Sequence, residues 1–104
     1  MGTAGLSTYL VEAYLPRTSP GGREAVAARA RAAAEEMQRD GTAIRFLRSF
    51  FVPDDELWFC FYEARSIEDV AEASSRAELV LGRIQQAVDD EVPVRGRRAA
   101  KSKR

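Results

Sequence analysis

At 104 residues, the chain has room for one domain with a single modest hydrophobic core. Hydrophobic residues make up 45% and charged residues 31%, ordinary values for a globular protein that argue against disorder over the whole length. Six of the 16 basic residues lie in the last ten positions, so residues 1–94 carry ten basic and 16 acidic residues. An acidic body repels phosphate, and we expect no nucleic acid partner except through the basic tail.

Three parts are predicted along the chain. Residues 1–7 are small and polar and form a flexible leader, residues 8–94 form the folded domain, and residues 95–104 form a basic disordered tail. Binding of nucleic acid or an acidic partner is the alternative interpretation of the tail. There is no apolar stretch near the ~20 residues of a membrane span and no signal-peptide pattern, so we expect a cytoplasmic protein without membrane contact.

The first predicted strand runs from Thr8 to Leu15, where Pro16 stops it. Its alternation places Tyr9, Val11, Ala13 and Leu15 on one face and Leu10, Glu12 and Tyr14 on the other. Ser19-Pro20 predicts the start of a helix that continues to about Arg39 and ends at Gly41. Its apolar stripe comprises Val26, Ala30, Ala33 and Met37.

A β-hairpin follows, with predicted strands over 43–52 and 57–64 joined by a turn at Pro53. A second helix is predicted from Ser66, with Asp69 three residues on as a capping partner, and its apolar positions are Ile67, Val70, Ala73 and Ala77. Residues 83–92 predict a charged edge strand. The order β-α-β-β-α-β predicts the α+β ferredoxin-like sandwich, a four-stranded antiparallel sheet with two helices on one face.

Both faces of the hairpin are apolar, which is unusual for an antiparallel sheet with one face in water. If Val52 pairs with Leu57, one face of the hairpin carries Phe46, Arg48, Phe50, Val52, Leu57, Phe59, Phe61 and Glu63, and the other carries Leu47, Ser49, Phe51, Trp58, Cys60 and Tyr62. The helices cover only one face of the sheet. We therefore expect a homodimer that pairs the open faces, since burial of apolar area contributes about 25 cal/mol per Å².

The predicted ligand site lies on that open face. Glu12 occupies a central strand and needs a partner, so we expect Glu12, Arg48 and Glu63 to form one ionic cluster. With Tyr14, Phe50 and Phe59, this cluster would anchor a small ligand in an apolar cavity. The alternative is a structural ion cluster that spans the dimer.

Two residue types limit the chemistry further. The chain contains no histidine, which removes the commonest general base and metal ligand. Its single cysteine, Cys60, excludes an internal disulfide. We interpret it as a core thiol, with a nucleophile or soft metal ligand as the alternative.

Several segments resemble the nickel-binding-protein-like family of small actinobacterial ferredoxin-like domains of unknown function. They are Tyr9-Leu10-Val11-Glu12, Phe46-Leu47-Arg48-Ser49-Phe50, Phe59-Cys60-Phe61-Tyr62-Glu63-Ala64, Arg76-Ala77 and Arg83-Ile84, within residues 7–92. The resemblance implies a dimeric α+β fold and nickel as the possible cofactor, bound through histidines. It places those histidines at the positions of Arg48 and Ser74, and a guanidinium cannot ligate a cation.

Two functions remain open from the sequence. The first is a dimeric binding protein that holds a small molecule or a divalent metal near the sheet cavity. The second is a cofactor-free enzyme of the dimeric α+β barrel type, monooxygenase-like or isomerase-like. The fold alone does not choose between them, and the lack of histidine favours binding because such enzymes commonly need a base near neutral pH.

Overall fold

The elements of the domain follow one another as the sequence predicts. A computed structural model describes residues 5–88, which form β1 (Ser7–Tyr14), α1 (Gly22–Arg39), β2 (Ile44–Val52), β3 (Leu57–Ala64), α2 (Ile67–Arg76) and β4 (Val80–Ala87). All strand pairs are antiparallel and the sheet order is β2-β3-β1-β4. The predicted ferredoxin-like α+β fold is confirmed. The basic tail lies outside the described residues.

The core lies between the helices and one face of the sheet. The inward residues of β1 are Tyr9, Val11 and Ala13, and Leu15 follows them, all at most 8% exposed. Trp58, Cys60 and Tyr62 on β3 lie on the same side. Both helices contribute to this cluster, α1 with Val26, Ala30, Ala33, Ala34 and Met37, and α2 with Val70, Ala73 and Ala77. We call the opposite side of the sheet the open face.

The start of α1 differs from the prediction. The N-cap is Gly21, with a positive φ of 76° and no side-chain hydrogen bond, and the helix begins at Gly22. Ser19 does not cap the helix; its carbonyl instead accepts a hydrogen bond from the Gly22 N–H at 3.0 Å. Ser19-Pro20 therefore forms a turn that precedes the helix. By contrast, Ser66 caps α2 as predicted, with Oγ accepting from the Asp69 N–H at 3.2 Å.

Gly41 ends α1 in a Schellman motif. The Thr42 N–H donates to the Met37 carbonyl at 2.9 Å, the Gly41 N–H donates to the Gln38 carbonyl at 3.0 Å, and φ of Gly41 is 96°. Because a Cβ is unfavourable in this conformation, we expect Gly41→Ala to lower the free energy of unfolding by about 1–2 kcal/mol. Gly41→Asn should cost less, because asparagine tolerates left-handed backbone. Urea denaturation of the three proteins measures this, and equal stabilities would contradict it.

The hairpin contains a β-bulge that the sequence prediction missed. From Val52–Leu57 to Arg48–Phe61 the pairing is as predicted, but Phe46 pairs with Tyr62, so Leu47 is the extra residue. The bulge moves Phe46 away from Arg48 and onto the helix side, where its ring packs edge-on against Tyr62 at 5.6 Å. The prediction that Phe46 shares a face with Arg48 was wrong.

The last strand begins earlier than predicted, at Val80 rather than Arg83. It also contains a bulge, at Gly82, where a Cβ would lie 3.1 Å from the Glu12 carbonyl oxygen. β4 and β2 are the two edges of the sheet, and β1 is central, as predicted. Within residues 5–88, no helix is both long and apolar enough to cross a bilayer.

Candidate functional site

The open face is built of rows of side chains that cross the sheet, because residues paired between strands share a face. One row is Arg83, Glu12, Phe59 and Phe50; the next is Gln85, Leu10, Phe61 and Arg48; a third is Ala87, Thr8, Glu63 and Arg45. A fourth row, towards the hairpin turn, holds Val80, Tyr14, Leu57 and Val52. The register therefore places all six predicted ligand-binding residues on one face: Glu12, Tyr14, Arg48, Phe50, Phe59 and Glu63.

Large apolar side chains of this face are accessible to solvent. Phe50 is 51% exposed and Tyr14 is 47% exposed, whereas Phe59 and Phe61 are half-buried. Phe50 and Phe61 pack edge-to-face, with ring centroids 6.2 Å apart. Contiguous exposed aromatic surface of this kind is typical of an interaction site.

Arg48 lies over the two phenylalanine rings. Its guanidinium carbon is 5.6 Å from the centroid of Phe50 and 5.7 Å from that of Phe61, within cation–π range. Within residues 5–88 no carboxylate lies at ion-pair distance from this guanidinium. The contacts favour this position of the exposed side chain, and no hydrogen-bond acceptor among residues 5–88 pairs with its N–H donors.

The expected single cluster of Glu12, Arg48 and Glu63 is not formed. Glu12 instead pairs with Arg83 on β4, with Arg83 Nε 3.2 Å from Glu12 Oε1. Glu63 pairs with Arg45, with Nη1 3.4 Å from Oε1. The physical reason is register: the bulge at Leu47 puts Arg45 opposite Glu63, and the pairing of β4 with β1 puts Arg83 opposite Glu12.

A cavity of about 410 Å³ opens at the end of this face near the bulge. It is lined by Thr8, Leu47, Arg48, Phe61, Glu63, Ala87 and Val88, and we call it the open-face cavity. Two of the predicted ligand-binding residues, Arg48 and Glu63, line it. Glu12, Tyr14, Phe50 and Phe59 lie in neighbouring rows outside the lining.

Glu63 is the enclosed carboxylate of the open-face cavity. Its Oε1 atom is buried and accepts no hydrogen bond from any described residue, although Arg45 is near. A buried carboxylate oxygen without a hydrogen bond is costly. The Arg45 charge offsets part of that cost, so the position of Glu63 depends on the bulge that brings Arg45 opposite it.

Tyr14 is held at the other end of the sheet. Its hydroxyl donates to Glu56 Oε1 at 3.1 Å, and the Arg17 N–H donates to Glu56 Oε2 at 3.1 Å. The backbone hydrogen bond from Arg17 is the main reason that the pKa of Glu56 is lowered, and the hydrogen bond to Glu56 raises the pKa of Tyr14. Tyr14 therefore fixes the hairpin turn against β1.

Cys60 is fully buried on the helix side of β3, and burial raises the pKa of its thiol to about 12. A neutral, enclosed thiol is a poor nucleophile. We expect Cys60 to react with a disulfide reagent at pH 8 at least ~100-fold more slowly in the folded protein than in urea, since the thiolate is the reacting form. Comparable rates in the two states, measured by thiolate release, would contradict this burial.

The thiol also affects stability at high pH. Because the folded-state pKa lies above the unfolded one, the folded protein holds the proton more tightly. The thiol therefore destabilises the fold progressively as the pH rises from about 9 towards 12.

Several residues of the open face escaped the sequence prediction. Leu47 was expected on the helix side, and the bulge turns it towards the cavity. Arg45 and Arg83, which pair with the two glutamates, depended on a register that the sequence did not define. Ala87, at the end of β4, and Val88, which follows it, lie within the predicted last strand but were not assigned to a face. The need of each glutamate for an opposite charge was the one sequence signal that could have identified the two arginines.

These observations define the class of the protein: a ferredoxin-like α+β domain whose open sheet face carries a cavity lined by Arg48, Glu63 and Phe61 among other residues. The model of the family described as nickel responsive protein SCO4226-like matches residues 9–86, and the chain belongs to this family. No curated protein matches the chain. It is similar to the crystal structure of SCO4226 from Streptomyces coelicolor A3(2), at 15% identity and a TM-score of 0.62, over 82% of this chain and 100% of that one.

The donor set of this chain does not fit nickel. There is no histidine in the sequence, and the one cysteine is a buried neutral thiol. Among residues 5–88, no group of three or more His, Cys, Asp or Glu side chains is placed to hold a metal ion. Imidazole is the side-chain nitrogen ligand that suits nickel, and the sequence supplies none.

The two positions that the resemblance assigns to histidine also lie on opposite sides of the sheet. Arg48 is on the open face, whereas Ser74 is 1% exposed on α2, with its hydroxyl donating to the Val70 carbonyl at 2.9 Å. Side chains at these positions of one chain cannot meet at a single ion.

Proposed function

We propose that this member of the nickel-responsive family is a homodimeric binding protein, which pairs two open faces and holds a small organic ligand in the open-face cavity. The observation that carries the proposal is the cavity itself. Its volume of about 410 Å³ falls in the range of small-molecule sites, and its walls combine Phe61 and Leu47 with the polar groups of Arg48 and Glu63.

Dimerisation is supported by the surface that a single copy leaves exposed. Tyr14, Phe50, Val52 and Val80 are each at least 37% exposed on the same face. A second copy of the chain is the occupant we propose, because its face carries the same mixture of aromatic side chains and ion pairs of both signs. A two-fold axis would then make the patch self-complementary. A cytoplasmic location is part of the proposal, supported by the single unpaired cysteine.

The ligand site is tested by thermal-shift screening of small aromatic and aliphatic compounds, with isothermal titration calorimetry of those that stabilise the protein. Binding should weaken at least ~10-fold in Phe61→Ala, which removes the aromatic wall, and should be unchanged in Arg23→Gln on α1. The solution mass is measured in parallel by sedimentation. The proposal would be overturned if no compound in the screen bound, or if the affinity of every binder were unchanged in Phe61→Ala.

A further inference from the structure

The charge of the open face is opposite to that of the domain as a whole. Residues 5–88 contain ten basic and 13 acidic residues. On the open face, however, Glu12 is neutralised by Arg83 and Glu63 by Arg45. Among residues 5–88, the charge that remains at the cavity is that of Arg48, so this part of the chain makes the site positive within an acidic domain.

The placement of Arg48 suits recognition of a carboxylate. Its guanidinium lies over Phe50 and Phe61, and these contacts favour one position of an otherwise exposed side chain. A planar guanidinium presents paired N–H donors that match the two oxygens of a carboxylate, and such charge-assisted pairs are about twice as strong as neutral hydrogen bonds. The same charge repels any cation that enters the cavity.

The rest of the cavity suits an apolar ligand body. Phe61, Leu47, Ala87 and Val88 line it beside the guanidinium. Glu63 is the acidic group of the lining, and its Oε1 atom is enclosed and lies beside Arg45. A second carboxylate on the ligand would meet this glutamate, so one anionic group at one end of a compact apolar body fits best.

We infer that the open-face cavity selects small organic monocarboxylates. In this chain, recognition of an anion would then replace the metal response after which the family is named. The inference rests on the proposed ligand site and adds its specificity. Arg48 supplies the selecting charge. The donor set provides an independent argument, because the chain offers neither imidazole nor an accessible thiolate to a metal ion.

The test uses matched ligands that differ only in charge. Phenylacetate, phenylacetamide and phenethylamine, and the corresponding triads with propyl and indolyl bodies, are titrated by calorimetry against the full chain, together with nickel chloride. We expect at least one carboxylate to bind ~10-fold or more tightly than its amide, because a hydrogen bond to a charged group is stronger by at least that factor. The amines and nickel should show no measurable binding.

Variants of Arg48 separate this inference from the proposed function. Arg48→Gln should reduce the carboxylate preference to less than ~3-fold, and Arg48→Glu should reverse it in favour of the amine. Arg23→Gln, which removes an exposed arginine from α1, is the matched control and should behave as wild type. Raised salt should weaken carboxylate binding and leave amide binding unchanged.

Each outcome is decisive. If amides or amines bind as tightly as carboxylates, the inference fails while the ligand site stands. If a carboxylate binds but Arg48→Glu leaves its affinity unchanged, the selecting charge lies elsewhere and the inference fails. Stoichiometric nickel binding would contradict the inference that anion recognition has replaced the metal response in this chain. If no triad member binds, the proposed function fails together with the inference.

Discussion

Replacing Tyr62 by alanine is expected to lower the free energy of unfolding by about 3–5 kcal/mol, the range for removal of a buried aromatic ring. The Tyr62 side chain is 0% exposed at the centre of β3. Its ring packs against Phe46 at 5.6 Å, and its hydroxyl donates to the Ala30 carbonyl of α1 at 3.3 Å. Because small domains are stable by only about 5–15 kcal/mol, this variant should lose a large fraction of the stability of the fold. Urea denaturation followed by circular dichroism measures the change.

The neighbouring residue provides the control. Phe61 is also aromatic, but it points to the open face and is half-buried. Phe61→Ala should therefore cost less than about 2 kcal/mol when measured at a concentration where the chain is monomeric. Tyr62→Phe, which removes only the hydroxyl, should cost about 1 kcal/mol. Equal costs for Tyr62→Ala and Phe61→Ala would contradict the division of the sheet into a helix side and an open face.

Much of this fold follows from periodicity in the sequence. The alternation of β1 identifies Val11 and Ala13 as inward residues, and both are buried. The pairing of Val52 with Leu57 follows from the turn at Pro53 and holds for the first part of the hairpin. These elements could be predicted because each depends on local patterning.

The bulge at Leu47 could not be predicted in the same way. Phe46 and Leu47 are both apolar, so the alternation does not say which of the two points inward. The outcome depends on tertiary packing: Phe46 fits between Tyr62 and the guanidinium of Arg31, which lies 5.1 Å from the Phe46 ring centroid. One inserted residue then changes the face of every earlier side chain on β2.

The ends of the two helices show a similar contrast. Gly41 in the sequence predicts the end of α1. Helix α2 ends in the same hydrogen-bond pattern, in which the Leu79 N–H donates to the Ser74 carbonyl and the Glu78 N–H donates to the Ser75 carbonyl. The left-handed position of α2 is occupied by Glu78, with φ 60°. Glutamate gives no such signal in a sequence, so the sequence did not define the end of α2, and the start of β4 was predicted at Arg83 rather than Val80.

The two register errors changed the ion-pair partners within the predicted site. All six candidate residues lie on the open face, because strand alternation determines the face of a residue where no bulge intervenes, and Arg48 and Phe50 lie between the bulge and the turn. Which arginine opposes which glutamate depends on register, and both bulges shift it. Arg45 and Arg83 are therefore the partners of the glutamates in place of Arg48, which has no carboxylate at ion-pair distance among residues 5–88.

The largest effect on assembly is expected from Phe50→Asp. Phe50 is 51% exposed in one copy and lies on the open face, where the proposed dimer would bury it. A two-fold axis places the substitution in the interface twice, and each copy loses a large apolar contact and must bury a carboxylate in its place. The dimer dissociation constant should therefore rise at least ~100-fold, as measured by sedimentation equilibrium over a range of protein concentrations.

Ile67→Asp is the matched control for this substitution. Ile67 is 40% exposed, as an apolar side chain at the start of α2 on the helix side. An aspartate there is compatible with the helix N-terminus, so the fold should be retained. Its dimer dissociation constant should equal that of the wild type. If Phe50→Asp leaves association unchanged while Ile67→Asp weakens it, the interface lies on the helices, and the exposed phenylalanine rings serve only the ligand.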